Sequence, residues 1–364
     1  MPGDSIGKMF KVSVWGESHG PSIGAVVEGC PPGVELDMNL IQEELNRRRP
    51  GKDRFVSSRQ EKDRFEVLSG LFKGKTTGTP ISIIIKNNGF NKENYEELGE
   101  VFRPGHADFT YRTKYGIRDY YGGGRSSARL TAPIVVAGAM ARQILRNELG
   151  IEILAYVKQI GSIEAAIKTG EAASRSLADS LINFPDKQRE VEILALLERL
   201  QDEGNSIGGI VECTVRNTPA GLGEPLFGKL DGDLAGAMMG LNAVKGFELG
   251  NGFECVELTG KENNDEFTVV EGDTVTITNR SGGIQGGISN GMPIVFRVAF
   301  KAAPSISRKQ RTVDVHGEKR EIQIQGDHDI CVAIRAVPVV EALAAIVLLD
   351  HYLRHRGQCG VIKK

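Results

Sequence analysis

Short strand-like runs alternate with amphipathic helical stretches along the whole chain, which predicts an α+β fold. The strand-like runs lie at hairpin spacing, which favours antiparallel sheets over a parallel sheet with long crossovers. Neither a linker nor a low-complexity tract interrupts the 364 residues, so positions 1–364 read as one large domain. Glycine supplies 45 of them, well above its usual share of about 7%.

In chain order, residues 11–15 and 25–28 read as strands flanking the loop Gly16-Glu17-Ser18-His19-Gly20, and residues 40–48 read as a helix. Further strands are expected at 65–72, 79–85 and 151–159. Residues 127–149 carry Ala132, Val135, Val136, Ala139, Met140, Ile144 and Leu145 at helical spacing. Ser126 or Ser127 is a natural N-cap for that helix. Residues 186–201 form an amphipathic helix that ends at Gly204. The second half repeats the alternation, with strands at 209–216, 253–259, 274–278 and 292–300 and a final apolar helix at 339–353. Three glycine-rich loops, at 122–124, 246–252 and 282–287, would let backbone amides approach a ligand closely, although plain tight turns give the same pattern.

Charge is distributed unevenly. Arg103, Arg112, Lys114, Arg118, Arg125 and Arg129 face only Asp108 and Asp119, and Arg47, Arg48, Arg49, Lys52, Arg54, Arg59 and Lys62 face only Asp53 and Glu61, in a protein of formal charge −2. If the fold joins the two clusters, their field would focus on a small, multiply charged anion. Two solvated loops or a nucleic-acid patch are the alternatives. A pI near 6.4 argues against nucleic acid. Arg125-Ser126-Ser127-Ala128-Arg129, at an expected helix start, combines guanidiniums, hydroxyls and helix amides that would converge on one anion. His19 and His106 both lie in loops; a bound phosphate beside such a histidine would favour its protonated form, which could then donate to a departing phosphate.

No run of about eighteen apolar residues is present, so no membrane span is expected, and the N-terminus lacks a signal-like apolar core, which makes a cytoplasmic location the default. The five cysteines are scattered without a C-x-x-C pair, which suggests neither a disulfide framework nor a zinc ribbon. Gly223-Glu224-Pro225-Leu226-Phe227-Gly228-Lys229-Leu230 has the phosphate-loop spacing, but Leu230 replaces the magnesium-holding hydroxyl and Pro225 removes an amide donor. His351, His355 and Cys359 share a helical spacing that could hold a metal, although Gly357 is expected to interrupt the helix there; the alternative is a solvated helix end.

Taken together, the motifs Gly16-Glu17-Ser18-His19-Gly20, Arg47-Arg48-Arg49-Pro50-Gly51, Phe102-Arg103-Pro104-Gly105-His106-Ala107-Asp108, Lys114-Tyr115-Gly116-Ile117-Arg118-Asp119-Tyr120, the stretch 122–129, Asn242-Ala243-Val244-Lys245-Gly246, Gly326-Asp327-His328-Asp329 and Arg335-Ala336-Val337-Pro338 resemble the chorismate synthases, in that family's order and over nearly the whole chain. The resemblance implies a β-α-β sandwich, with helices enclosed between antiparallel sheets. It implies conversion of 5-enolpyruvylshikimate 3-phosphate to chorismate and phosphate by trans-1,4 elimination, with reduced FMN as cofactor. By position, His19 would protonate the departing phosphate, His106 would sit by the flavin, and Asp329 would serve the deprotonation. Arg48, Arg49, Arg54, Arg59, Arg103 and Arg129 would hold substrate. Arg125, Ser126, Ser127, Asn242, Ala243, Gly286, Lys301, Ala302, Ala303, Pro304, Ser305 and Asp327 would meet FMN. A homotetramer, an external flavin reductant and an association with NADP are implied as well. Two departures stand out: Asp327 where relatives usually carry arginine, and Leu130 where they carry glutamate. They leave a weakened flavin- or phospho-ligand-binding protein on the same scaffold as the rival reading.

Overall fold

The computed structural model describes residues 3–49, 63–87, 98–167, 177, 180–324 and 328–362. Two five-stranded antiparallel sheets enclose a layer of helices. The first sheet contains β1 (Ser5–Ile6), β2 (Lys11–Gly16), β3 (Ser22–Glu28), β4 (Phe65–Val67) and β5 (Ile81–Lys86), in the order β1-β2-β3-β5-β4. The second contains β6 (Glu152–Ile160), β7 (Ile163–Glu164), β8 (Gly209–Arg216), β9 (Val244–Leu249) and β10 (Ile294–Phe300), in the order β9-β10-β8-β6-β7. β5 of the first sheet buries the alternating set Ile81, Ile83 and Ile85, whereas β8 in the second is buried on both faces, with Val211, Cys213 and Val215 on one and Glu212 and Thr214 on the other.

Among the described residues, the helices of eight residues or more are α1 (Met38–Arg48), α2 (Asp108–Tyr115), α3 (Thr131–Leu149), α4 (Lys187–Asp202), α5 (Leu230–Met239) and α6 (Ala333–Cys359). α3 packs on β2, β3 and β5, α6 packs on β6 and β8, and α1 touches both α3 and α6. α6 is apolar nearly all round because it is covered nearly all round, with an unbroken buried stretch from Ala336 to Tyr352. Where α3 and α6 cross, a Cβ on Gly138 would lie 2.4 Å from the Cβ of Ala342, so only glycine permits that approach.

The architecture is the sandwich that the sequence implies, and several boundaries differ. The final helix begins six residues before the expected 339, with Pro338 inside it. Proline removes the hydrogen bond that residue 338 would give the Ile334 carbonyl, and Asn183 Nδ2 donates to that oxygen instead at 3.4 Å. Gly357 does not interrupt the helix, because the surrounding turns carry it to Cys359. His351 Nε2 lies 2.9 Å from Asp233, and His355 Nδ1 donates to the Gly221 carbonyl, so each histidine has its own partner. The expected strand at 253–259 is instead a 3-10 turn, Gly252–Glu257, entered through Gly250 and Gly252 at φ +55° and +54°. The expected strand at 65–72 is split into Phe65–Val67 and Leu71–Phe72 by Gly70 at φ +83°. α2, α5 and β9 carry no strong periodicity and were not expected.

Candidate active site

The connection from β2 to β3 places His19. Gly20 N–H donates to the Glu17 carbonyl at 3.1 Å, closing a tight turn, and Ser18 N–H donates to the Gly124 carbonyl at 3.2 Å. This presses the turn against the second glycine loop: a Cβ on Gly122 would sit 2.2 Å from His19 Cε1. His19 is only 6% exposed, and its Nδ1 lies 2.9 Å from Ser18 Oγ. A cavity of about 140 Å3 opens beside the turn, lined by Glu17, Asp108, Tyr111, Arg118, Asp119 and the loop 122–126.

The two basic clusters do meet, but through carboxylates that the charge pattern did not single out. Arg48, at the end of α1, contacts Asp63 at 3.1 Å and donates to Thr131 Oγ1 at 3.1 Å and the Ala128 carbonyl at 3.0 Å. Arg129, in the turn before α3, pairs with the other oxygen of Asp63, and its Nε donates to Asn87 Oδ1 at 3.0 Å. Asp63 is therefore a fully buried counter-ion shared by two guanidiniums. Arg103 donates through Nε and an NH2 group to Asp108, each at 2.8 Å, and also to the Gly122 carbonyl behind His19. Arg118 meets the same Asp108 at 2.8 Å. Burial opposes ionisation of Asp108, yet the hydrogen bonds and charge of Arg103 outweigh it and hold the carboxyl below its usual range. Arg118 thus braces Asp108 and the carbonyls of Leu98, Gly99 and Val101, while Arg112 and Lys114 point outward on α2.

The expected convergence of Arg125 and Arg129 on one anion is not what the chain builds. Arg125 pairs with Asp4 at 2.7 Å and donates to the Val14 carbonyl, whereas Arg129 engages Asp63 and Asn87. α3 starts at Thr131, so its N-terminus lies beyond the serines; Ser127 instead caps the short turn Ala128–Leu130 by accepting from Arg129 N–H. Leu130 is buried in the core rather than facing the site, so its departure from the usual acid adds apolar packing.

His106 sits in the loop between Arg103 and Asp108. Its Nδ1 lies 3.0 Å from the Pro104 carbonyl, which can only accept, so Nδ1 carries a proton and, in the neutral ring, Nε2 accepts from the Ser305 hydroxyl at 2.8 Å. Burial first, and then the Arg103 charge, depress its pKa to about 4, which keeps the ring neutral at pH 7. The Lys301 ammonium donates to the Gly105 carbonyl at 2.8 Å, and a Cβ on Gly105 would stand 2.8 Å from Pro304. Lys301 N–H bonds the Ala243 carbonyl at 2.9 Å, and Asn242 Nδ2 bonds the Ser126 carbonyl. Ala303 accepts from Ser206 Oγ at 2.6 Å. Ala243 is held at φ +66°, the left-handed region that a residue with a Cβ rarely adopts, a strain that gathers at functional sites. The expected set at 125–127, 242–243 and 301–305 is thereby joined to the His106 loop; the Cβ position of Gly286 opens to empty space away from these contacts.

Asp329 approaches Arg335 NH1 with both oxygens, at 2.7 and 3.0 Å, and Arg335 Nε reaches the Arg48 carbonyl at 3.4 Å. Arg49 caps α1 and is half-buried. Arg54, Arg59 and Asp327 lie outside the described residues. Sequence reasoning missed Asp63, Asn87 and the bracing role of Asp108; the place of Asp63 between Lys62 and Arg64, and of Asp108 near Arg103, was the only trace, and Asn87 left none.

Contacts thus run from Arg129 through Asp63 to Arg48, and from the Arg48 carbonyl through Arg335 to Asp329, while Asn87 ties the backbone of the His19 turn to Arg129. The comparisons with known proteins give the family. The family model described as chorismate synthase matches residues 10–353. The chorismate synthase of Opitutus terrae is 51% identical over 360 residues, covering 99% of both chains. That of Thermosynechococcus vestitus is 51% identical over 358 residues, covering 98% of this chain and 99% of the other. A solved chorismate synthase structure superimposes with a TM-score of 0.77 at 32% identity, over 96% of this chain and 94% of that one. With the family model, the full-length relatives and the sandwich in agreement, the chain belongs to the chorismate synthase family.

Proposed function

We propose that this chain is a carbon–oxygen lyase of the shikimate pathway, which converts 5-enolpyruvylshikimate 3-phosphate to chorismate and phosphate by trans-1,4 elimination in aromatic amino-acid biosynthesis. The observation that carries this reading is the set of contacts that links Arg129, Asp63, Arg48, Arg335 and Asp329, with the buried His19 turn held beside Arg129 by Asn87. It sets a proton donor, anion-binding cations and a carboxylate within one connected site, as the loss of phosphate and of a ring hydrogen requires.

In this reading Arg48, Arg103 and Arg129 hold the substrate's phosphate and carboxylates, joined by Arg49, Arg54 and Arg59. Asp63 and Asp108 fix the guanidiniums of Arg48, Arg129 and Arg103 before substrate arrives, so little order is lost on binding. His19 delivers a proton to the leaving phosphate oxygen. Asp329, steadied by Arg335, takes part in removing the ring hydrogen.

The donor set around His106 fits a flavin mononucleotide. Lys301 and the hydroxyls of Ser126, Ser127 and Ser305 suit its phosphate and polar edge, while Ala243, Ala302, Ala303 and Pro304 offer small or flat side chains to a flat ring; Arg125 and Asn242 border the same loops, and family likeness adds Gly286 and Asp327. Reduced FMN supplies electron density that eases departure of the allylic phosphate, with no net redox change. Neutral His106 orients the Ser305 hydroxyl there through Nε2 without adding positive charge.

Family likeness supports a cytoplasmic enzyme supplied by an external flavin reductant, and among the described residues no helix is long and apolar enough to cross a membrane. A homotetramer is supported by the ribbon Phe267–Val270 with Asp273–Thr276, whose Phe267, Val269 and Val270 are exposed. A lone two-stranded ribbon is marginal in water and gains stability when covered. The deciding experiment is anaerobic incubation with 5-enolpyruvylshikimate 3-phosphate and chemically reduced FMN. Stoichiometric release of phosphate and chorismate is expected, and flavin binding without phosphate release would overturn the reading.

A further inference from the structure

Asn87 lies one residue beyond β5, and its backbone N–H continues the ladder to the Pro21 carbonyl at 3.1 Å. Its backbone is therefore fixed by the sheet, and its side chain reaches in two directions at once. Nδ2 donates to the Glu17 carbonyl at 3.0 Å and to the Gly20 carbonyl at 2.8 Å, the two ends of the turn that carries His19. Oδ1 accepts from Arg129 Nε at 3.0 Å. The orientation of the amide is not arbitrary. A guanidinium only donates and carbonyls only accept, so the oxygen must face Arg129 and the nitrogen must face the turn. Among side chains of this size, only asparagine offers two donors and an acceptor in one plane; aspartate in its place would turn a carboxylate oxygen toward two carbonyls.

We propose that Asn87 is a positioning residue for the elimination: its amide ties the His19 turn to the Arg129 guanidinium, so that the proton donor and the anion clamp are held at one fixed spacing. This rests on the reading of His19 as the acid and Arg129 as a substrate ligand. The consequence is separable. The donors of Asn87 serve His19 and its acceptor serves Arg129, so replacing one half of the amide should affect catalysis and binding differently.

The experiment compares Asn87→Asp, Asn87→Ala and, as a control on the underlying reading, His19→Ala. Steady-state rates with reduced FMN, calorimetric titration of 5-enolpyruvylshikimate 3-phosphate in the presence of oxidised FMN, and the His19 ring resonances of the ligand-free protein by NMR are measured for each. Asn87→Asp keeps the acceptor for Arg129 but adds a negative charge beside the anion clamp, so substrate affinity should fall by at most about tenfold while thermal stability holds. Its kcat should fall on the order of 10- to 100-fold, as expected for a small misplacement of a reacting group, and the His19 resonances should move. Asn87→Ala should lose a comparable factor in kcat and also bind substrate about tenfold more weakly, as expected on losing a hydrogen bond to a charged group. Wild-type kcat with unmoved His19 resonances in Asn87→Asp overturns the proposal. So does a parallel loss of affinity, rate and thermal stability in that variant, which would mark a merely structural contact. Wild-type turnover in His19→Ala instead overturns the assignment of the acid itself, and the proposal with it.

Discussion

Ser305 Oγ and His106 Nε2 lie 2.8 Å apart across 199 positions of sequence, and the Pro104 carbonyl on the other ring nitrogen fixes which of the two atoms accepts. Because burial and Arg103 lower the His106 pKa to about 4, the ring binds no proton in the folded protein between pH 6.5 and 4, whereas in the unfolded chain it does. The unfolded state then binds more protons, so stability falls as pH drops through that window and levels off below pH 4. His106→Asn should remove this loss, which amounts to about 3 kcal/mol at most for one group. Urea unfolding at pH 7 and pH 4.5 tests it: the parent's stability loss between those values should exceed the variant's, and equal losses would place the proton elsewhere.

His19→Ala and His106→Ala should each keep the fold and most FMN affinity while losing turnover. A positioned proton-transfer group typically contributes about 10²–10⁴-fold, and a loss in that range is expected for His19. Stopped-flow phosphate release measures it; parental rates in both variants would rule out the assignment.

Asp329→Asn removes one negative charge beside a cationic site and leaves Arg335 an amide oxygen as acceptor. Substrate should bind at least as tightly as in the parent, with kcat lowered by about tenfold or more. Calorimetry beside steady-state kinetics separates the two effects. Should affinity and rate fall together, Asp329 serves by holding Arg335 against the Arg48 carbonyl.

Gly138→Ala places a methyl 2.4 Å from Ala342 Cβ and 2.5 Å from its Cα, at a crossing where neither helix has slack. The cost should be about 1–3 kcal/mol, typical of an overfilled core. A lowered midpoint in thermal unfolding with an unaltered KM is the expected result.

The sequence alone determined the α+β class, the course of β8 at Gly209–Arg216 and of α4 behind its Asp186 cap, and the loops that carry His19 and His106. Those features are local: hydrophobic period, capping residues and glycine punctuation act within a few residues. The order of motifs also carried the family, and with it the sandwich, which composition and spacing could not supply. Tertiary structure alone decided how the charges pair. The surplus of arginine over acid between Arg103 and Arg129 is real in the sequence, yet Asp63 reaches in from one loop, Asp4 from the N-terminus and Asn87 from the end of a strand to meet it. No periodicity reports which distant carboxylate will neutralise which guanidinium, because that depends on where two sheets and a buried helix layer bring the loops. For the same reason α6 was read too short. Pro338 breaks a helix by local rules, but burial from Ala336 to Tyr352 and the side chain of Asn183 offset it in the folded chain, and Gly357 falls in the exposed last turn, which the helix carries on to Cys359.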